Sequence, residues 1–252
     1  MKKLVWALCL VACSSSKVSG EAPLEEVEDG GAARADGGGT GATERMFIEE
    51  FEGDLSQWSA PVLSGVEGKS VPTLAIDTTV ATTGKGALFV QLAPPATFGT
   101  RGYVERSFEK DAARLGEGIK CKLYLRPEVD LGSNGHALVS YVANGGTPYR
   151  VSLDLRQNGS SSLHEEFQAG ADVSGPRLEK EEWTLVQLEL VLGAGGVFAV
   201  RSGGVLYTLP LEKLPSDVKS WSLRLGVVSS GFLDEGDNTL AVRFDALACD
   251  PL

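Results

Sequence analysis

Histidine is nearly missing from this sequence: His136 and His164 are the two in 252 residues. Catalysis that relies on imidazole, and metal sites built from several histidines, have little to draw on. Positive charge is short as well. Lys and Arg number 23 against 34 Asp and Glu, a net charge of −11. Such a chain lacks the basic surface that nucleic-acid phosphates require, so no nucleic-acid partner is expected. No apolar run approaches the ~20 residues that span a bilayer, and no internal repeat is visible. What remains is 42% hydrophobic. That is enough for a core, which excludes wholesale disorder, and the length suits one β-sandwich or two small domains.

The N-terminus carries an address. Lys2 and Lys3 precede a short apolar stretch, residues 4–10, that ends in Leu10-Val11-Ala12-Cys13. This pattern resembles the bacterial lipobox at every position. The resemblance implies a signal peptide over 1–12, cleavage before Cys13, and acylation of Cys13 that anchors the chain in a lipid bilayer. An ordinary signal peptide with a chance cysteine is the alternative. Ser14 stands where an aspartate would mark inner-membrane retention in enteric bacteria, so the analogy favours the outer membrane. With Cys9 removed and Cys13 lipidated, Cys121 and Cys249 are left, either as a disulfide or as two buried thiols.

Residues 13–45 read as a flexible linker of Gly, Ala and acid, with no aromatic and no hydrophobic period. From Met46 to the end at 252 the pattern is strand, turn, strand. MFIEEF at 46–51 opens it, and LAVRFDALAC at 240–249 is its natural sheet neighbour. IKCKLYLR at 119–126 places Ile119, Cys121, Leu123 and Leu125 on one face and Lys120, Lys122, Tyr124 and Arg126 on the other. Asn144-Gly145-Gly146, Asn158-Gly159 and Ser202-Gly203-Gly204 are hairpin signals. Helical period is confined to residues 108–114 and 211–219. The expected fold is an all-β, two-sheet antiparallel β-sandwich.

Five stretches sharpen this expectation. FEGDLSQW followed by TTGKGALFV resembles the start of jelly-roll carbohydrate-binding modules. EEWTLVQLELVLGAGGVFAVRSGGVLYTLPL, LRLGVVSS and VRFDALA resemble the concanavalin A-like and laminin-G lectin superfamily. The resemblance implies a jelly roll over 46–252. It also implies a structural Ca²⁺ between Glu52 and Asp245, helped by carbonyls around Gly84, a set of hard oxygen donors that calcium accepts. Arg243, two residues from Asp245, offers a salt bridge as the alternative. The loop Asp234-Glu235-Gly236-Asp237-Asn238 is a second oxygen-rich place, which turn chemistry also explains.

Catalytic constellations are absent. The E-x-D-x-x-E strand of glycosidases on this fold is missing, as are the RxEL and QIH elements of alginate-lyase relatives. His164-Glu165-Glu166-Phe167-Gln168 is half of a zinc H-E-x-x-H motif, and Ser14-Ser15-Ser16-Lys17 lies in the linker. No enzyme is expected. For a glycan we single out Lys122, Tyr124 and Arg126, with Arg150, Asp154 and Arg156 of the alternating stretch 149–156. A ring to stack on a sugar and planar guanidinium donors suit an acidic glycan, although an ordinary solvated sheet face has the same composition. Trp221 is in phase with Leu223 and Leu225 and belongs to the core. Trp58 and Trp183 read as packing anchors. The expectation is a membrane-anchored, non-catalytic binding lipoprotein of the bacterial envelope whose partner is a polysaccharide. The alternative is a structural or assembly lipoprotein that binds an envelope protein, and a polysaccharide-degrading enzyme comes third.

Overall fold

A computed structural model describes residues 46–65, 70–109, 117–128, 135–166, 171–193, 195–211, 214–215, 217–229, 233 and 239–252. The expected signal peptide over 1–12, Cys13, the expected linker and the loop at 234–238 lie outside these residues. So do residues 110–114 of the first stretch of helical period and 212, 213 and 216 of the second. No helix among the described residues is long and apolar enough to cross a membrane.

Two antiparallel sheets form a jelly-roll sandwich. The strands are β1 (Phe47–Glu49), β2 (Val62–Ser64), β3 (Thr73–Asp77), β4 (Ala87–Leu92), β5 (Arg101–Ser107), β6 (Gly118–Pro127), β7 (His136–Asn144) and β8 (Tyr149–Leu155). They continue with β9 (Ser161–Glu166), β10 (Ala171–Ser174), β11 (Thr184–Val191), β12 (Val197–Ser202), β13 (Val205–Pro210), β14 (Ser220–Ser229) and β15 (Leu240–Pro251). Sheet A runs β13-β12-β11-β6-β15-β4-β3, and sheet B runs β10-β9-β8-β7-β14-β5-β2. The long β15 lends its first half to β4 and its second half to β1.

Alternation fills the space between the sheets. Ile119, Cys121, Leu123 and Leu125 of β6 all point inward, as do Val151, Leu153 and Leu155 of β8. Tyr141 of sheet B meets Phe198 of sheet A edge to face, with centroids 6.1 Å apart. Cys121 and Cys249 sit directly opposite each other on β6 and β15, with Cα atoms 4.1 Å apart, and their sulfurs are bonded. The disulfide alternative therefore holds.

The opening stretch pairs with the closing one, Phe47 opposite Cys249, but its strand is shorter than the expected 46–51. Phe51 adopts a positive φ of 53° and turns fully into the core. Trp58 holds this corner. Its ring meets Phe47 edge to face and stacks on Phe51. Its Nε1–H donates to Glu49 Oε2 at 3.0 Å, while Glu49 Oε1 accepts the Phe51 N–H at 2.9 Å. The buried carboxylate is thus satisfied on both oxygens. Gly203 and Gly204, with φ of 54° and 79°, supply the two positive angles that a two-residue hairpin between β12 and β13 demands. β2 and β10 were not expected. They are three and four residues long at the edges of sheet B, too short for a period of two to show.

Candidate functional site

The outer face of sheet B is built in cross-strand rows. Register sets Glu105, Arg224, Ser140, Ser152, His164 and Asp172 side by side across β5, β14, β7, β8, β9 and β10. Directly opposed residues share a face ~5 Å apart. The ends of the row are bulky pairs: Arg224 Nε donates to Glu105 Oε2 at 2.8 Å, and His164 Nδ1 lies 3.0 Å from Asp172 Oδ1. Its middle is two buried serines. Large ends and a small middle make a trough.

The neighbouring row, Ser222, Val142, Arg150 and Glu166, extends it. Arg150 Nε lies 2.8 Å from Glu166 Oε2. The groove that results has a volume of about 770 Å³ and is lined by Phe98, Arg101, Asn144, Arg150, His164 and Arg224, among others. Phe98 stands at its margin, 66% exposed. The turn that carries it closes through Thr100 N–H to Thr97 O at 3.0 Å, and Gly99 N–H ties it to Ser229 O at 2.9 Å. Gly99 sits at φ 83°, a conformation glycine adopts without strain. Arg224 also lies over the buried Tyr103 ring, 4.6 Å from its centroid. Two of the three lining arginines are therefore neutralised by their own carboxylates.

Beside this groove Asp154 points outward yet is 2% exposed. Ser152 Oγ–H donates to its Oδ1 at 2.6 Å. Burial pushes the Asp154 carboxyl up, against the pull of Ser152, His164, Arg150 and Arg156. Arg156 donates through Nε to Ser162 Oγ at 2.9 Å and through Nη2 to Asp172 at 3.0 Å. Asp172 thus joins Arg156 to His164.

The single basic face expected from Lys120 to Arg156 does not form. Lys122, Tyr124 and Arg126 are on β6 in sheet A, whereas Arg150, Asp154 and Arg156 belong to the opposite sheet. Alternation assigns a side chain to a face of its strand; it does not say which sheet the strand joins. Asp154 moreover lies beneath the surface instead of lining it. On sheet A, Arg126 is paired with Glu128 at 3.4 Å, Tyr124 is half-buried between Asp245 and Leu185 in register, and Lys122 is exposed.

Three residues at the groove were missed in the sequence, and each carried a signal. Phe98 is an aromatic in PPATFGT, outside any alternating run, where a ring is more exposed than core. Arg224 is out of phase with Trp221, Leu223 and Leu225, so it had to face outward. Arg101 opens the alternation of β5.

Glu52 and Asp245 do converge on one loop, 78–86. Asp245 Oδ2 accepts N–H bonds from Thr82 at 2.7 Å and Thr83 at 3.0 Å, and Oδ1 accepts from Ala246 at 2.7 Å. Glu52 Oε1 accepts the Lys85 N–H at 2.5 Å. Each of these three oxygens accepts at least one amide N–H. Among the described residues no group of three His, Cys, Asp or Glu side chains could hold a metal ion. The alternative Arg243–Asp245 pair is not formed either. Arg243 Nε donates to Asp77 Oδ2 at 3.0 Å, its guanidinium also pairs with Glu128, and it covers the Phe89 ring at 4.7 Å.

No family model and no curated protein matches the chain. In fold it is similar to the endo-β-1,4-glucuronan lyase of Trichoderma reesei, with a TM-score of 0.61 and 16% identity over 82% of this chain and 96% of that one. It is similar to cellulose induced protein Cip1, with a TM-score of 0.55 and 15% identity over 82% and 97%. A sialidase follows at 0.53 and 11%, where the match spans 82% of this chain but 18% of the sialidase. At these identities the likeness is one of fold, a jelly-roll sandwich.

Proposed function

We propose that this chain is a glycan-binding protein of the bacterial envelope, held in the outer membrane by acylated Cys13. The observation that carries the reading is the exposed Phe98 ring beside a groove lined by Asn144, Arg150, His164 and Arg224. A sugar presents an apolar C–H face and a rim of hydroxyls. A flat ring and fixed planar donors and acceptors answer both. Arg224 spends one donor on Glu105 and Arg150 is ion-paired with Glu166, and both keep other N–H groups for hydroxyls, which suits a polymer bound mainly by hydrogen bonds. Binding of the full-length chain to a panel of purified polysaccharides, wild type beside Phe98→Ala, tests it. A roughly tenfold loss on removing the ring is expected. Binding that ignores Phe98, or no binding at all, would turn attention to an envelope protein as partner.

A second reading rests on the pairing of His164 with Asp172. A carboxylate on Nδ1 fixes the tautomer and leaves Nε2 able to take a proton. By likeness to the glucuronan lyase, the reaction would be a β-elimination: Nε2 takes the proton from the carbon beside a uronate carboxylate, the glycosidic C–O bond on the next carbon breaks as the C=C forms, and the leaving sugar oxygen takes a proton from water. Incubation with glucuronan, followed for an unsaturated product, decides it; His164→Ala should abolish any such product.

A further inference from the structure

The outer face of sheet A carries a second depression, on strands β6, β11 and β12 and the β12–β13 turn, that the reading above does not use. Register places Lys122, Gln187 and Arg201 in one cross-strand row. Two strand spacings separate the cations, about 10 Å between their backbones. The depression has a volume of about 550 Å³ and is lined by these three with Trp183, Leu185 and the Gly203–Gly204 turn. Among the described residues no carboxylate lines it.

Its charges differ from those of the sheet B groove in one respect. Neither Lys122 nor Arg201 has an ion pair among the described residues, and both are exposed. In a chain of net charge −11, two uncompensated cations on one hollow form a local positive field that attracts an anion. Gln187 Nε2 donates to Glu189 Oε1 at 2.6 Å, so its carbonyl oxygen stays available to a hydroxyl. Leu185 is 46% exposed and Trp183 half-buried beside it, which gives an apolar wall. A β-carbon on Gly203 or Gly204 would meet nothing within 4 Å, so the turn leaves the end of the hollow open to a chain that continues past it.

We propose that this face is a second glycan site, selective for an acidic polysaccharide. Lys122 and Arg201 take carboxylates of the polymer, Gln187 accepts a hydroxyl between them, and Trp183 with Leu185 packs the C–H face of a sugar. The site is independent of the sheet B groove, so one molecule can hold two polymer segments on its two outer faces.

The test uses the full-length chain, polygalacturonate, and the same polymer with its carboxyls reduced to alcohols. Wild type should bind the acidic polymer in preference to the reduced one, more weakly as salt rises, since screening acts over about 8 Å at physiological salt. Lys122→Gln with Arg201→Gln should cost about tenfold in affinity at low salt, and Trp183→Ala should weaken binding at every salt. Phe98→Ala should leave it unchanged. Melting curves check that the variants are folded; the two cations are exposed, so little change is expected. Equal binding of the reduced polymer, loss through Phe98 instead of Lys122 and Arg201, or no binding by wild type would overturn the proposal. The first two of these would leave the sheet B reading standing. Competition by single-stranded DNA as strong as by the polyuronate would overturn the sugar assignment.

Discussion

On the outer face of sheet B four basic side chains face carboxylates: Arg224 with Glu105, Arg150 with Glu166, and Arg156 and His164 with Asp172. The β3 side of sheet A does the same through Asp77, Arg243 and Glu128. On the β11–β12 side of sheet A Lys120 faces Glu189, whereas Lys122 and Arg201 have no ion pair among the described residues. What differs is the residue that register brings opposite each cation. A paired guanidinium offers directed hydrogen bonds with little net field, whereas an unpaired cation offers field first. The two hollows on one sandwich therefore suit ligands of different charge.

The largest expected effect comes from beneath sheet A. Cys121 and Cys249 close a loop of 128 residues, and in the chain-entropy picture such a crosslink contributes ~5 kcal/mol. Cys121→Ala with Cys249→Ala should lower the denaturation midpoint of the oxidised protein to near that of reduced wild type. Equal midpoints for oxidised and reduced wild type would remove the crosslink from the account.

A smaller effect sharpens the sheet B side. Ser152 is fully buried and donates to the buried Asp154. Ser152→Val strips that donor and fills the trough, and should cost ~1–3 kcal/mol of stability. Binding at the sheet B groove should weaken as well, while polyuronate binding on sheet A stays intact. Parallel loss on both faces would show that the two hollows are coupled.

Next comes a pH effect on the compensated part of sheet A. The hydroxyl and N–H of Thr79, then Arg243, hold the Asp77 carboxyl at about 2, below its ordinary 3.8. Because the folded value is the lower one, the stabilisation is complete above pH ~4 and drains away as the pH falls towards ~2. The melting temperature of wild type should thus exceed that of Asp77→Asn at neutral pH, and the gap should close between pH 4 and 2. A gap that persists at pH 2 would assign the difference to packing instead of charge.

The smallest effect concerns calcium. With Asp245 and Glu52 committed to backbone amides, EDTA and millimolar calcium should give the same melting temperature. A rise with calcium that is lost in Asp245→Asn would mean that the 78–86 loop turns its amides away to admit the ion.

The amino-acid sequence by itself settled what depends on near neighbours in the chain. A period of two put Val151, Leu153 and Leu155 inside, kept Arg150 and Arg156 outside, and drew the hairpins at Asn158-Gly159 and Gly203-Gly204. It also reduced the cysteines of 46–252 to one pair. The tertiary structure alone decided which sheet each strand joined, and so separated Lys122 from Arg150. It buried Asp154, aimed Asp245 at the Thr82 and Thr83 amides, and chose the partners of each cation. Those partners are far off in sequence, 119 residues for Arg224 and Glu105, and 166 for Arg243 and Asp77. Side-chain direction is a local property of an extended backbone, but strand order is settled by burying the apolar faces of both sheets against each other. Charge compensation follows from strand order, so it became visible only once the chain was folded.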